Sequence, residues 1–231
     1  MPHALALSPH LDDAAFSCGG TLARLVQAGW EVTVCTIFTR SVAAPTGFAL
    51  ACQTDKGLAP EVDYMALRRG EDRAACAALG AAPLWLDHAE APHRGYHSAA
   101  ALFGPLLDGD PAHGLELPAL KADLVLAPQA VGGHVDHVLL ARALRAETRP
   151  ILWWTDFPSA KRDEAPRPMA KLKALPEHSV MGDATARLAA CTAYTTQLGF
   201  QFGGLEGLRV ALAVAGPVER FRAVSLPAAL A

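Results

Sequence analysis

Apolar and polar positions along residues 1–40 follow the order strand, helix, strand. Residues 3–8 form an apolar stretch that predicts a strand, and the apolar spacing of residues 17–28 predicts a helix that stops at Gly29. Residues 31–38, with the sequence EVTVCTIF, are rich in β-branched side chains and predict a second strand. This part of the chain is therefore a predicted β-α-β unit.

The same alternation continues further along the chain. Helices are predicted at residues 64–80 and 135–146, and strands at residues 83–86, 123–127 and 150–154. Strands that alternate with helices pair in parallel through right-handed crossovers. We therefore predict an α/β fold with a Rossmann-like, mostly parallel sheet and helices on both faces. Functional sites in such sheets lie at the carboxyl ends of the strands.

Two segments lack clear periodicity. Residues 39–63 carry several Pro and Gly residues and predict a long loop or short irregular helices. Residues 155–182 are rich in Pro, Lys and Arg and predict a surface excursion with one short helix around residues 169–175. Long loops in compact domains are often functional, so we expect these two segments to decide which substrates fit.

The last part of the chain returns to regular patterns. Residues 184–198 predict a helix, residues 208–215 form an apolar run, and residues 221–226 predict a terminal strand. With 231 residues, 52% of them hydrophobic, and a mean hydropathy of +0.20, the chain can bury one large core. We expect a single domain over residues 1–231.

Charge and hydropathy exclude several classes of protein. The formal net charge of −3 argues against a generally basic nucleic-acid binder or a binder of anionic membranes. No window approaches the ~20 apolar residues of a membrane span, and no secretory leader is recognisable, so we expect a cytoplasmic protein. The five cysteines are scattered without a C-x-x-C pair, so a metal would be held by His and carboxylate side chains.

The first candidate site is SPHLDD at residues 8–13, directly after the first predicted strand. His10 and Asp13 are three positions apart, so in a helical turn they share a face and can hold one cation. Asp12 points elsewhere and stays free to take a proton. The alternative is that Asp12 and Asp13 only cap the following helix.

The second candidate site is GGHVDH at residues 132–137, after the strand predicted at residues 123–127. His134 and His137 are three positions apart and can face one site, and Asp136 between them can fix a histidine tautomer. The alternative is a surface loop with incidental histidines. Together the two motifs supply His and Asp donors that suit zinc or another borderline first-row ion, with a position left for water.

The two motifs together resemble the PIG-L/LmbE de-N-acetylase family, whose signatures are usually His-Pro-Asp-Asp and His-Pro-Asp-His. HLDD at residues 10–13 and HVDH at residues 134–137 match them, with Leu11 and Val135 at the proline positions. The likeness extends through residues 66–80 and 193–197, so it covers most of the chain. Neither Leu11 nor Val135 supplies a functional side chain, so ligation is not affected.

The resemblance implies an LmbE-like fold and a metal centre with Zn²⁺, Fe²⁺ or another divalent first-row metal being the alternative. It implies Asp12 as general base and His134 as oxyanion stabiliser or acid, with Asp136 orienting His134. The metal ligands it implies are His10, Asp13 and His137.

A substrate-binding rim is also predicted. Arg68 and Glu71 match family positions associated with substrate binding or internal pairing, although an ordinary surface ion pair is the alternative, above all for Glu71. Arg94 follows the strand predicted at residues 83–86, as does Asp87, and both could reach the same rim.

Asp156 follows the strand predicted at residues 150–154 and is placed at the same rim. Trp153 and Trp154 at the end of that strand could line a sugar pocket, although Trp in a strand usually belongs to the core.

The activity that the resemblance implies is hydrolysis of a non-peptide amide by a zinc-dependent enzyme. The substrate would be a small molecule, an N-acetylated amino sugar of the N-acetylglucosamine type or its conjugate, and Asp12 would activate the attacking water. No nucleic-acid partner is expected, and the sequence leaves a homo-oligomer open. The alternatives are a metal-dependent phosphoesterase and a metal-bound ligand-binding module without activity. A dinucleotide-binding oxidoreductase is disfavoured because residues 18–20, CGG, do not form G-x-G-x-x-G.

Overall fold

The computed structural model describes residues 1–110, 115, 117, 120–158 and 170–231. Within these residues seven strands form one sheet in the order β3-β2-β1-β4-β5-β7-β6. The strands are β1 (His3–Ser8), β2 (Glu31–Thr36), β3 (Ala82–Trp85), β4 (Leu124–Pro128), β5 (Ile151–Trp154), β6 (Glu177–Met181) and β7 (Val218–Arg222).

The helices of the described residues cover both faces of this sheet. They are α1 (Asp13–Gln27), α2 (Gly47–Thr54), α3 (Tyr64–Leu79), α4 (Ala99–Leu102), α5 (Val135–Ala143), α6 (Ala170–Lys173), α7 (Ala184–Thr192), α8 (Thr195–Phe202) and α9 (Leu205–Ala215). None of the helices in this part of the chain is long and apolar enough to cross a membrane.

The predicted α/β fold with a mostly parallel sheet is confirmed. Strands β3, β2, β1, β4 and β5 pair in parallel, and β6 and β7 are antiparallel additions beside β5. Strand β6 was not predicted, because its sequence EHSVM has only one fully buried residue, Val180. It lies at the sheet edge, where a strand needs no apolar run.

Several helix boundaries differ from the prediction. Helix α1 begins at Asp13 rather than at residue 17, and the helix predicted over residues 184–198 is two helices, α7 and α8. Residues 39–63 contain α2. The short helix predicted around residues 169–175 is present as α6, while Met169 lies outside the described residues.

Successive residues of the central strands face opposite sides of the sheet and contribute to two core clusters. In β1, Ala4 and Ala6 pack on the side of α1, whereas Leu5 and Leu7 pack on the side of α5. Trp153 and Trp154 follow the same alternation and are 4% and 0% exposed. Both tryptophans are therefore core residues and do not line a sugar pocket.

Sheet order places the two candidate motifs together. β1 and β4 are neighbours, with Ala6 paired in register with Leu126, so their carboxyl ends open at the same edge of the sheet. The HLDD motif follows β1, and the HVDH motif follows β4 at the start of α5. The loops that carry the motifs therefore converge although they are far apart in sequence.

Candidate metal centre and active site

Three histidine rings from the two motifs form one cluster. The ring centroids of His10 and His134 lie 4.9 Å apart, those of His10 and His137 lie 5.3 Å apart, and those of His134 and His137 lie 5.4 Å apart. The two motifs therefore converge in the structure, as the prediction of one shared metal site requires.

Asp13 lies between two of these histidines. Its Oδ2 atom lies 3.1 Å from Nδ1 of His10 and 3.2 Å from Nε2 of His137. One donor atom from each of the three residues falls within 4.8 Å of the others, a spacing that fits a single metal ion. Two imidazole nitrogens and a carboxylate are a donor set that zinc and other borderline first-row ions accept.

The charges within this group reinforce one another. Burial opposes the ionised form of Asp13, yet the neighbouring His137 and His10 hold its pKa well below the ordinary value. Burial would likewise lower the pKa of His137, but Asp13 and Asp156 raise it to about 10. The carboxylates thus favour a positive charge at a buried position, as a cation site requires.

The remaining nitrogen of each of these two histidines contacts a carboxylate. Nδ1 of His137 lies 2.7 Å from Oδ1 of Asp156, and Nε2 of His10 lies 2.9 Å from Oδ2 of Asp136. Carboxylates in this position fix the tautomer and orientation of a ligating histidine.

Two predictions are corrected by these contacts. Asp156 is 2% exposed and bonded to His137, so it is buried behind the cluster rather than at a substrate rim. Asp136 directs its carboxylate to His10 and not, as predicted, to His134. Its backbone N–H, by contrast, is donated to Nδ1 of His134 at 3.3 Å.

A second group of donors in the described residues overlaps the first and consists of His10, His134 and Asp136. It is less suited to a cation, because Oδ1 of Asp136 already lies 2.7 Å from the guanidinium of Arg94. Oδ2 of Asp136 also accepts the backbone N–H of Ala91. The first group is therefore the better metal site.

His134 differs electrostatically from the other two histidines. Burial and the nearby His10 lower its pKa to about 3, so the ring is neutral near pH 7. Since Nδ1 accepts a backbone N–H, the ring proton is on Nε2. His134 is thus a neutral hydrogen-bond donor at the edge of the cluster.

Asp12 contacts side chains of other helices. It occupies the N-cap position of α1, but its side chain makes no capping hydrogen bond, so the capping alternative does not hold. Oδ2 accepts from Nε2 of Gln201 at 2.9 Å, and Oδ1 lies 3.5 Å from Nη2 of Arg68. Burial raises the pKa of Asp12 to about 6, although Arg68 opposes the shift.

The arginines predicted at the substrate rim are engaged with carboxylates of the site. Arg68 is 4% exposed and lies 2.7 Å from Glu90 in addition to its contact with Asp12. Arg94 bridges Asp136 and Asp110. Both arginines therefore hold carboxylates of the site in place. Their spacing along the sequence did not predict this role.

Glu71 makes internal contacts, which is one of the two roles that the resemblance implies, and Asp87 lies at the surface. Glu71 accepts hydrogen bonds from Thr195 and Thr196 at the start of α8 rather than pairing on the surface of α3. The side chain of Asp87 is 81% exposed and pairs with Arg40.

Sequence reasoning missed Gln201, Glu90 and Asp110. Each contacts a residue of the site from outside both motifs, and Gln201 and Asp12 are separated by 189 positions. No motif surrounds them, so only the fold could reveal them.

Comparison with known proteins gives a family match and a sequence relative. Residues 5–147 match the PIG-L family, described as GlcNAc-PI de-N-acetylase, and both motifs lie within the match. A 2'-N-acetylparomamine deacetylase of Streptomyces fradiae is 36% identical in an alignment over 173 residues, with 70% of this chain covered. The match covers 59% of that relative's length.

Solved structures agree over nearly the whole chain. The antimicrobial reagent A40926 pseudoaglycone deacetylase is 30% identical, with a TM-score of 0.72 and coverage of 95% of this chain and 96% of that one. The zinc-inhibited form of teicoplanin deacetylase is 24% identical, with a TM-score of 0.76 and coverage of 96% and 97%, and this likeness concerns the fold. With the family match over more than half of its length, the chain belongs to the PIG-L family.

Proposed function

We propose that this protein is a metal-dependent hydrolase that removes the acetyl group from an N-acetylated amino sugar or its conjugate. The observation that carries the proposal is that two adjacent residues, Asp12 and Asp13, make different contacts. Asp13 lies between two histidines, whereas Asp12 contacts Gln201 and Arg68. A site that binds a cation and keeps a separate carboxylate for proton transfer suits amide hydrolysis.

His10, Asp13 and His137 would hold the metal, which we propose to be Zn²⁺, with Fe²⁺ or another divalent first-row ion as the alternative. When bound, such a metal supplies Lewis acidity that brings the pKa of water toward ~7 and polarises a carbonyl group. Asp136 and Asp156 orient the two histidines through their outer nitrogens.

Asp12 and His134 would carry the proton chemistry. Asp12 accepts a proton from the attacking water at its carboxylate and returns it to the leaving nitrogen, so acetate and a free amine are the products. His134 donates its Nε2–H to the oxygen of the acetyl group, where negative charge develops during attack. A preorganised donor of this kind accelerates acyl transfer by about 10²–10³-fold.

The substrate class is supported by the relatives. A 2'-N-acetylparomamine deacetylase is related to this chain in sequence, and an A40926 pseudoaglycone deacetylase, 30% identical, shares its fold. The proposed substrate is therefore a small N-acetylated sugar conjugate, and we propose that residues 39–63 contact its remainder. The second segment expected to do so includes residues 159–169, which lie outside the described residues.

The test is acetate release from N-acetylhexosamines and their glycosides by the metal-loaded protein. Asp12→Asn should abolish nearly all release while retaining metal, and Asp87→Asn, on an exposed carboxylate, should behave as wild type. His10→Ala should lose the metal itself. Phosphate release from phosphomonoesters without any acetate release would instead favour the phosphoesterase alternative.

A further inference from the structure

Gln201 is the one contact from α8 to Asp12 among the described hydrogen bonds, and neither motif contains it. We infer that Gln201 is a positioning residue that fixes the orientation of the Asp12 carboxylate for proton transfer. The inference rests on the proposed function, because it concerns how the proposed base is held.

The geometry fixes both oxygens of Asp12 from separate helices. Nε2 of Gln201, on α8, donates to Oδ2 at 2.9 Å, and the guanidinium of Arg68, on α3, lies 3.5 Å from Oδ1. The carboxylate is only 4% exposed, so water offers little competition for these contacts. With one lone pair of Oδ2 taken by Gln201, the directions of the remaining lone pairs are set before substrate arrives.

Helix α8 is itself anchored, which makes Gln201 a rigid partner. At its first turn, Glu71 of α3 accepts the backbone N–H of Thr196 and the hydroxyl of Thr195. One turn before Gln201, and therefore on the same helix face, Gln197 donates to the hydroxyl of Tyr64.

The other end of α8 is fixed as well. Phe202 packs edge-on against Phe16 of α1 with ring centroids 5.3 Å apart. The helix then ends at Gly203, whose φ of 72° is a left-handed conformation that favours glycine. Gln201 thus lies one residue before the packed Phe202, and its side-chain amide is held toward the start of α1.

Arg68 alone would hold Asp12 less specifically. It contacts Asp12 at 3.5 Å but lies closer, at 2.7 Å, to Glu90, so its guanidinium is shared between two carboxylates. Gln201 supplies the shorter and more directional contact. Its loss should therefore disturb the orientation of Asp12.

The experiment is a double-mutant cycle on acetate release by metal-loaded protein. Gln201→Met keeps the length of the side chain and removes the donor. Because this hydrogen bond is made to a charged group, its loss should lower kcat by about tenfold or more. KM should stay within about twofold of the wild-type value, and the amount of bound metal should be unchanged. In an Asp12→Asn background the same substitution should cause no further loss, because the group it positions is already disabled.

Three further variants keep the result interpretable. Gln27→Met removes a similar Gln–Asp contact on the surface of α1, where Gln27 donates to Asp183, and should leave kcat unchanged. Gln201→Ala gives a second way to remove the donor if the methionine variant unfolds, and Gln201→Glu should lower kcat further because it places a second carboxylate beside Asp12.

The outcomes separate this inference from the proposed function. Unchanged kcat in Gln201→Met and Gln201→Ala, a change confined to KM, or multiplying losses in the double variant would each overturn the positioning role while leaving deacetylation intact. Absence of acetate release by the wild-type protein on every substrate would overturn both.

Discussion

Nε2 of His10 lies 2.9 Å from Oδ2 of Asp136, a contact that joins the loop after β1 to the first turn of α5 across 126 positions of sequence. Oδ1 of the same carboxylate lies 2.7 Å from Arg94. Asp136 is thus fixed by a cation on one side and fixes His10 on the other, with Nδ1 of His10 turned toward Asp13.

Replacing this carboxylate should weaken metal binding. Asp136→Asn removes the charge that orients His10 and favours its ligating form, so the affinity for Zn²⁺ is expected to fall by about 10–100-fold. The measurement is metal content after equilibrium dialysis against a graded chelator.

The matched control for that variant is Asp87→Asn, because the Asp87 carboxylate also faces an arginine but is 81% exposed. It should keep wild-type metal affinity. Equal affinity in Asp136→Asn and wild type, with folding intact by circular dichroism, would contradict the role assigned to Asp136.

The strands and ligand motifs were predictable because their signals are local. The apolar run of β1 and the β-branched run of β2 are each readable within a few residues, and strand adjacency in a parallel sheet brings His10 and His137 to one edge. The donors within each motif are separated by three positions, which a single helical turn explains.

The residues behind the ligands were not predictable in the same way. Asp156 follows a strand and has the sequence context of a rim residue, yet it turns inward to His137. Gln201 lies in a segment that was predicted only in part, since a helix was expected to end at residue 198. Such contacts depend on tertiary packing, which a local sequence pattern does not show.

A second prediction concerns the start of α8. Glu71 accepts hydrogen bonds from the hydroxyls of Thr195 and Thr196 and from the backbone N–H of Thr196, and thereby satisfies a free donor at the helix N-terminus. Glu71→Ala should lower the free energy of unfolding by about 1 kcal/mol, as loss of a helix cap does.

Urea unfolding followed by circular dichroism measures that change. Glu206→Ala is the control, because the Glu206 side chain is 80% exposed and pairs with Arg209 at 3.5 Å. If both variants unfold at the wild-type urea concentration, Glu71 does not anchor α8.

A third prediction concerns a buried pair beneath α1. The helix is interrupted at Cys18, which has a φ of −143°, and the carbonyl of Phe16 accepts from Arg187. Arg187 also lies 3.4 Å from Glu219, and the two side chains are 6% and 1% exposed. Arg187→Met should lower the free energy of unfolding by about 3–5 kcal/mol, because it leaves a buried carboxylate without its cation.

Arg209→Met tests whether burial of the ion pair causes the loss of stability expected for Arg187→Met. Arg209 pairs with Glu206 at 3.5 Å, but its side chain is 55% exposed, so the loss should stay below about 1 kcal/mol. If urea unfolding shows comparable losses of unfolding free energy in the Arg187 and Arg209 variants, burial of the pair does not determine the loss of stability.

The last prediction concerns pH. Glu147 accepts hydrogen bonds from the guanidinium of Arg149 and from the backbone N–H groups of Arg149 and Thr148. The guanidinium above all lowers the pKa of Glu147 to about 2. Because an unfolded glutamate has a pKa of about 4.3, the folded state binds fewer protons between these values. Glu147 therefore stabilises the fold fully above about pH 4.3, and this contribution is lost as the pH falls toward 2.

Glu147→Gln should accordingly lower the free energy of unfolding at pH 7 by up to about 1 kcal/mol, since solvent screens a pair so near the surface. The difference from wild type should shrink progressively when urea unfolding is repeated from pH 5 down to pH 3. Glu206→Gln, on an 80% exposed side chain, serves as the control and should stay close to wild type at each pH. A Glu147→Gln difference that stays constant or grows as the solution is acidified would show that the Arg149 pair does not supply this stability, because the sign of the proton linkage requires it to decline.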